Sequence, residues 1–307
     1  MPKNNNEIYF INIKTTKMKT KKLFLFALIA GFVFTACSKD YSVATPDDIV
    51  NINGSISGTN QVKASIDPYS GLGSFENGDI WGMYATISAN HVLNNSEYTV
   101  GSTIIYWNSL SETSSVTFSA HYPRITSTIT DPEVYMFNAA TAANPDLLVA
   151  TPVTESKSSG SDVNLSFNHV MHQLMINLSK EPEILGNLLD TEVTLLNMKS
   201  SAKVNLLTGA VDLTAASGTD SYPMKSGGGT WIVAPQQLTV GDEWIQLKLG
   251  VKTYIYRVPA DLTQLESGKR VTISLTLKAS GDAVAINKDI SGWVPQQLTI
   301  NGDVIGN

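Results

Sequence analysis

Alternation of apolar and polar residues with a period of two dominates the chain. Val271, Ile273, Leu275 and Leu277 alternate with Thr272, Ser274, Thr276 and Lys278, which predicts one half-buried strand. Ile245, Leu247, Leu249 and Val251 predict another, and Tyr254, Tyr256 and Val258 continue nearby. Val116, Phe118, Ala120 and Tyr122 form a fourth, ended by Pro123. Val204–Leu206 and Val211–Leu213 flank a turn at Gly209 and read as a hairpin. Earlier strands are expected at Val50 and Ile52, at 80–86 and at 103–107. The best helical signal is one or two turns over 182–189, opened by Pro182. Many short strands separated by turns predict an all-β chain of tandem β-sandwiches.

One strand breaks its own pattern. Leu165, Phe167, His169 and Met171 share odd parity, whereas Leu174, Ile176 and Leu178 are even. An apolar face cannot change parity within a regular strand, so a bulge or break is expected near His172. The linker-like stretch 155–162, rich in Ser and Gly, suggests a boundary between an N-terminal sandwich over 49–160 and a C-terminal one over 161–307.

The first forty residues change the picture from fold to compartment. Lys19, Lys21 and Lys22 precede an apolar run over 23–34, and Thr35 and Ala36 lead to Cys37. A basic region, a short apolar core and a small residue before a processing point describe an export signal. A membrane span needs about 20 apolar residues, so this run is too short to stay as one. Met18 stands directly before the lysines and is the expected start, with 1–17 as upstream sequence. The segment around Cys37 resembles a bacterial lipobox, with Phe34 where leucine is usual. That resemblance implies lipidation of Cys37, an outer-membrane anchor, and a tether over 37–48; Lys39-Asp40 faintly resembles a surface-export tag. A free thiol at Cys37 is the alternative.

The chain has 307 residues, one cysteine and a net charge of −6. Removing 1–36 takes away six lysines and Glu7, leaving a net charge of −11. Such an acidic body disfavours nucleic acid and other anionic polymers as partners. A single cysteine excludes a disulfide framework and any multi-cysteine metal site. His169 and His172 invite comparison with a metal pair. On a regular strand, however, their rings point to opposite faces and no third ligand is evident by spacing. No nucleophile–base spacing, phosphate loop or carboxylate pair suited to catalysis appears, so neither enzyme activity nor a cofactor is expected. Five tryptophans and eleven tyrosines suit core packing, with a sugar-stacking platform as the alternative; Trp81 reads as core.

Several segments resemble the fimbrillins, subunits of fimbriae built by Bacteroides-type bacteria. They are 75–85 (aromatic, Gly-Asp, then Trp-Gly-Met-Tyr-Ala) and 116–123, with His121 where an aromatic is usual. The Phe167-x-His169 to Leu174 strand and the Ile290 to Trp293 close follow in the same order. The resemblance implies two transthyretin-like Greek-key sandwiches and an exported lipoprotein that assembles with other fimbrial subunits by strand exchange. It further implies proteolytic removal of an early strand, for which Val50, Ile52 and Ile56 qualify. The family's processing site is arginine, and none precedes Arg124; Lys63 is the nearest basic candidate. The expected donor is the tail 294–307, through Leu298 and Ile300, with an ordinary closing strand as the alternative. A non-polymerising surface lipoprotein that binds glycans stays open beside this reading, as does the identity of any surface receptor.

Overall fold

The structure is a computed structural model. It describes residues 48–57 and 74–279, together with the backbone of the strands at 283–292 and 302–306. Cys37, Lys63, Leu298 and Ile300 lie outside the described residues, as do the signal segment and most of the tether.

The described chain is almost entirely β. Its first half holds β1 (Ile52–Ile56), β2 (Ile80–Ile87), β3 (Asn90–Thr99) and β4 (Val116–Tyr122). β5 (Tyr135–Asn138), β6 (Leu148–Ala150), β7 (Val153–Glu155) and β8 (Val163–His169) follow. Next come β9 (His172–Lys180), β10 (Glu192–Leu195), β11 (Ser201–Val204), β12 (Val211–Ser217), β13 (Lys225–Ser226) and β14 (Gly229–Val233). The last are β15 (Gln236–Gln237), β16 (Glu243–Leu249), β17 (Lys252–Arg257), β18 (Gln264–Leu265), β19 (Lys269–Leu277), β20 (Ala283–Gly292) and β21 (Gly302–Gly306).

A first sheet runs β1-β8-β6-β4-β2-β3, with β7 also on β4; a larger one runs β13-β10-β16-β17-β21-β20-β19-β9-β14. The expected strands at 116–122 and 271–277 form. Those expected over 245–251 and 254–258 form as β16, which ends at Leu249 with Val251 exposed in the turn, and β17, which ends at Arg257. The hairpin of β11 and β12 turns where Gly209 takes a φ of +78°. Two expectations fail. The segment 103–107 makes only a single bridge, Ile49 to Tyr106, before one helical turn at Trp107–Leu110. The apolar residues of 182–189 do not share a face: Ile184 is buried while Leu185 and Leu189 are exposed, and only a 3-10 turn at Leu188–Asp190 forms.

The parity change near His172 marks a change of sheet. β8 buries its odd residues in the first sheet, Val170 and Met171 follow, and β9 begins the run that buries Leu174 and Ile176 in the second. Of the bulge or break expected there, the break forms. The stretch 155–162 joins β7 to β8 within the first sheet. A collar of hydrogen bonds holds the crossing. Ser267 Oγ donates to Val170 O (3.0 Å), Gly268 N donates to Met171 O (3.0 Å), and Val170 N donates to Leu147 O (3.0 Å). Gly268 has a φ of +64°, and a Cβ there would stand 2.7 Å from His169 O, so glycine is required twice over.

Two cores result. One gathers Trp81, Met83, Phe118, Leu165 and Phe167 on one face of the first sheet. The larger begins on the opposite face, with Tyr84 and Val149, and continues through Met171, Leu174, Trp244 and Ile273. β5 also joins the halves by pairing with β11 from Ser201 opposite Asn138 to Val204 opposite Tyr135.

Candidate functional site

β1 is the edge of the first sheet. It runs parallel to β8 in the register Ile52 to Val163, Gly54 to Leu165 and Ile56 to Phe167. Even residues face inward. Ile56 is 1% exposed and Ile52 packs on the same core, whereas Asn53 and Ser55 face solvent. Between the two isoleucines the core rises to meet the backbone. A Cβ on Gly54 would lie 2.3 Å from Trp81 Cη2 and 2.6 Å from Trp81 Cζ2, so the strand lies flat against the indole edge.

That indole belongs to an aromatic floor. Trp81 stacks on Tyr98 with centroids 5.1 Å apart and stands 4.8 Å from both Phe75 and Phe167; Phe75 and Phe167 meet edge to face at 4.6 Å. Edge-to-face and offset pairs of this kind favour one fixed arrangement of rings. Burial raises the pKa of the Tyr98 phenol, which stays neutral.

Polar contacts hold the outer side of β1. Asn53 Nδ2 donates to Asn164 Oδ1 (3.1 Å) and Asp162 Oδ2 (3.3 Å), and the Ser57 and Ser166 hydroxyls meet at 2.8 Å. Val163 N donates to Asn51 O (2.8 Å) and Ser57 N donates to Phe167 O (2.7 Å). Lys157 bridges Asp48, just before the strand, and Glu112. Replacing Gly54 with alanine is expected to destabilise the protein by about 1–3 kcal/mol, because a fully buried ring must shift. Chemical denaturation of Gly54→Ala beside a Ser55→Ala control measures this; equal stability of the two variants would exclude the close approach.

At the other end of the chain, β21 lies between β17 and β20. Tyr254 faces Gly306 and Ile255 faces Ile305 on one side; Ala283 faces Val304 and Ala285 faces Gly302 on the other. In the single chain the end of the tail thus closes its own sheet.

The histidines singled out by sequence are structural. His169 Nδ1 meets Asp146 Oδ1 at 2.8 Å, while His172 Nδ1 donates to Glu266 O at 2.8 Å from a different sheet. Burial lowers the His172 pKa to about 4, against the opposing pull of that carbonyl. The His121 ring packs against Gly82, where a Cβ would stand 2.3 Å from its Cε1; its Nε2 accepts from Ile125 N (3.3 Å) while Asn95 Nδ2 donates to Ile125 O (2.8 Å). Burial, assisted by the Arg124 charge, lowers the His121 pKa to about 3. Among the described residues no group of three His, Cys, Asp or Glu side chains is placed to hold a metal ion.

Among the described residues no stacking platform for sugars is built. Trp81, Trp107, Trp231 and Trp244 are all buried, and none of the large apolar side chains exposed among the described residues is aromatic. A concavity of about 480 Å³ lies beside Tyr222 and Gln236. Both of those residues spend their polar atoms on backbone: Tyr222 OH donates to Lys199 O, and Gln236 Nε2 donates to Lys199 O and Ala234 O. No helix among the described residues is long and apolar enough to cross a membrane.

The all-β fold is shared with solved structures from Bacteroides species. A candidate cell adhesion protein from Bacteroides uniformis superposes with a TM-score of 0.60 at 18% identity, over 82% of this chain and 100% of that one. A candidate cell adhesion protein from Bacteroides ovatus gives 0.51 at 18% identity, over 84% of this chain and 97% of that one. No curated protein matches the chain. These likenesses establish the fold class, an all-β architecture. The fimbrillin-like family model matches residues 71–293, and the chain belongs to that family. It is accordingly a fimbrial or adhesion-related protein of the cell surface.

Proposed function

We propose that the protein is a structural subunit of cell-surface fimbriae, exported as a lipoprotein through Cys37 and assembled by exchange of its first strand. The observation that carries this reading is β1. It is a five-residue strand at the end of the first sheet, paired with β8 and lying over an aromatic floor that its departure would uncover. Its departure would leave the backbone of β8 without that partner above uncovered rings, a template for an incoming strand. Lys63 follows β1 in the sequence, so a cut there would separate the strand from the rest of the sheet. Lipid on Cys37 would hold the uncut chain at the outer membrane until that step. The acidic body, with a net charge of −11 beyond residue 36, suits an aqueous exterior.

Mass spectrometry of the mature N-terminus from producing cells tests both halves. Membrane-bound, unassembled protein is expected to begin at an acylated Cys37, and polymer to begin just after Lys63. Polymer that retains residues 48–57 covalently would overturn strand removal, and an unmodified Cys37 in the membrane fraction would overturn the anchor.

A further inference from the structure

The concavity beside Tyr222 is assembled from four separate stretches: 195–199 at the end of β10, 218–222 after β12, 236–239 at β15, and 242–244 at the start of β16. Its volume of about 480 Å³ falls within the range of about 300–1,000 Å³ usual for small-molecule sites. None of the lining residues belongs to β1, β8 or β21, so the opening is independent of the strands at either end of the chain.

Its walls are held in place before any ligand arrives. Gln236 Oε1 accepts from Lys199 N (2.8 Å), which pins the first wall from behind. Asn197 takes a φ of +54° and its Nδ2 donates to Glu243 O (2.8 Å); the amide nitrogen is committed and the carbonyl oxygen is left as an acceptor. Asp220 Oδ2 accepts from Asn138 Nδ2 (2.6 Å) and Ser200 Oγ (3.2 Å), which leaves Oδ1 as a second fixed acceptor. Asp242 is exposed, and its carboxylate has no partner among the described residues. On the floor, Trp244 Nε1 donates to Met198 Sδ (3.1 Å), so the one N–H there is spent and the surface beneath is apolar. Glu243 is balanced by Arg257, so Lys199 against Asp220 and Asp242 leaves the lining with a net charge of −1.

A ligand suited to these walls donates several hydrogen bonds, carries no negative charge and has an apolar side to set on Met198. Neutral saccharides have this chemistry, with hydroxyl groups around the rim of each ring and C–H groups on its face. We propose that the concavity binds a neutral saccharide of one or two rings, held along its hydroxyl edge by Asn197, Asp220 and Asp242. Recognition by the edge needs no stacked indole, in keeping with the buried tryptophans. The inference goes beyond the fimbrial reading and does not depend on it. Where the two hold together, every subunit of the polymer carries the site, and weak single sites gain about 10²–10⁴ in avidity along the shaft.

Saturation-transfer NMR on the unassembled full chain tests the proposal, with lactose, maltose, cellobiose and diacetylchitobiose as probes and spermidine as the cationic comparison. At least one disaccharide is expected to receive saturation. Asp242→Ala and Asn197→Gly are each expected to weaken its binding about tenfold. Asp242 is exposed and unpaired, and glycine keeps the positive φ at 197, so thermal melting should show both variants folded. Glu183→Gln, exposed and outside the lining, is expected to bind as the parent does. The proposal falls if no disaccharide receives saturation, if binding survives both substitutions unchanged, or if spermidine alone binds, which would make the concavity a cation site. None of these results bears on the exchange of the first strand.

Discussion

Acidification from pH 7 to pH 4 is expected to remove on the order of 6 kcal/mol of stability through two histidines alone. Both are held neutral by burial, with pKa values of about 3 for His121 and about 4 for His172. In the unfolded chain a histidine titrates near 6.5, at about 1.4 kcal/mol per pH unit of difference. Above pH 6.5 neither state is protonated and the histidines add no pH dependence. Below it the unfolded chain takes up protons that the folded chain refuses, so stability falls until each folded value is passed. Most domains are stable by only about 5–15 kcal/mol, so the loss brings this one close to unfolding. Protonating the acidic body relieves repulsion and works in the opposite direction, so the histidine contribution needs isolating. Urea midpoints measured between pH 7.5 and 4.5 for the parent and for His172→Asn do this. The variant should have the flatter pH profile, whatever its stability at pH 7.5. Parallel profiles would mean that His172 is not the buried neutral group described.

Replacing Trp81 with alanine is expected to lower stability by about 3–5 kcal/mol and to loosen β1 selectively. The ring is 1% exposed, touches three aromatic neighbours and supports Gly54. Its loss leaves a cavity directly under the edge strand, where collapse must draw β1 inward or let it go. Trp107→Ala is the matched control. It removes a buried indole from the same core, 5.9 Å from Phe118, without touching Gly54. Hydrogen exchange at residues 52–56 should rise above the globally expected rate in Trp81→Ala only. Equal protection of those amides in the two variants would remove Trp81 from the role of strand support.

Strands with one wet face were legible in the sequence. β19 alternates without fault, and β16 and β17 are a hairpin of the same kind, because their apolar faces fall on one side of a half-buried sheet. β3 was not legible. It is an edge strand of Asn, His, Ser and Glu with few apolar residues to set a period, and its pairing with β2 shifts register twice. The parity change at His172 was visible, but its cause was not, since a bulge and a crossing between sheets leave the same trace in one dimension. The Phe75–Ala85 segment announced a buried Trp81, yet its contact with Gly54 depends on the parallel pairing of β1 with β8. No local pattern reports a pairing between residues more than a hundred positions apart.

The crossing at Val170 and Met171 also has a mechanical reading. β8 hands the chain to β9 with two residues between, and β9 is then gripped by β14 and by an eight-residue parallel ladder with β19. Tension applied through a strand seated beside β8 would load that ladder in shear, with the bonds sharing the force instead of opening one after another. The load would pass between the halves along covalent backbone, so pulling the molecule from end to end need not strain the apolar contact between its two sheets.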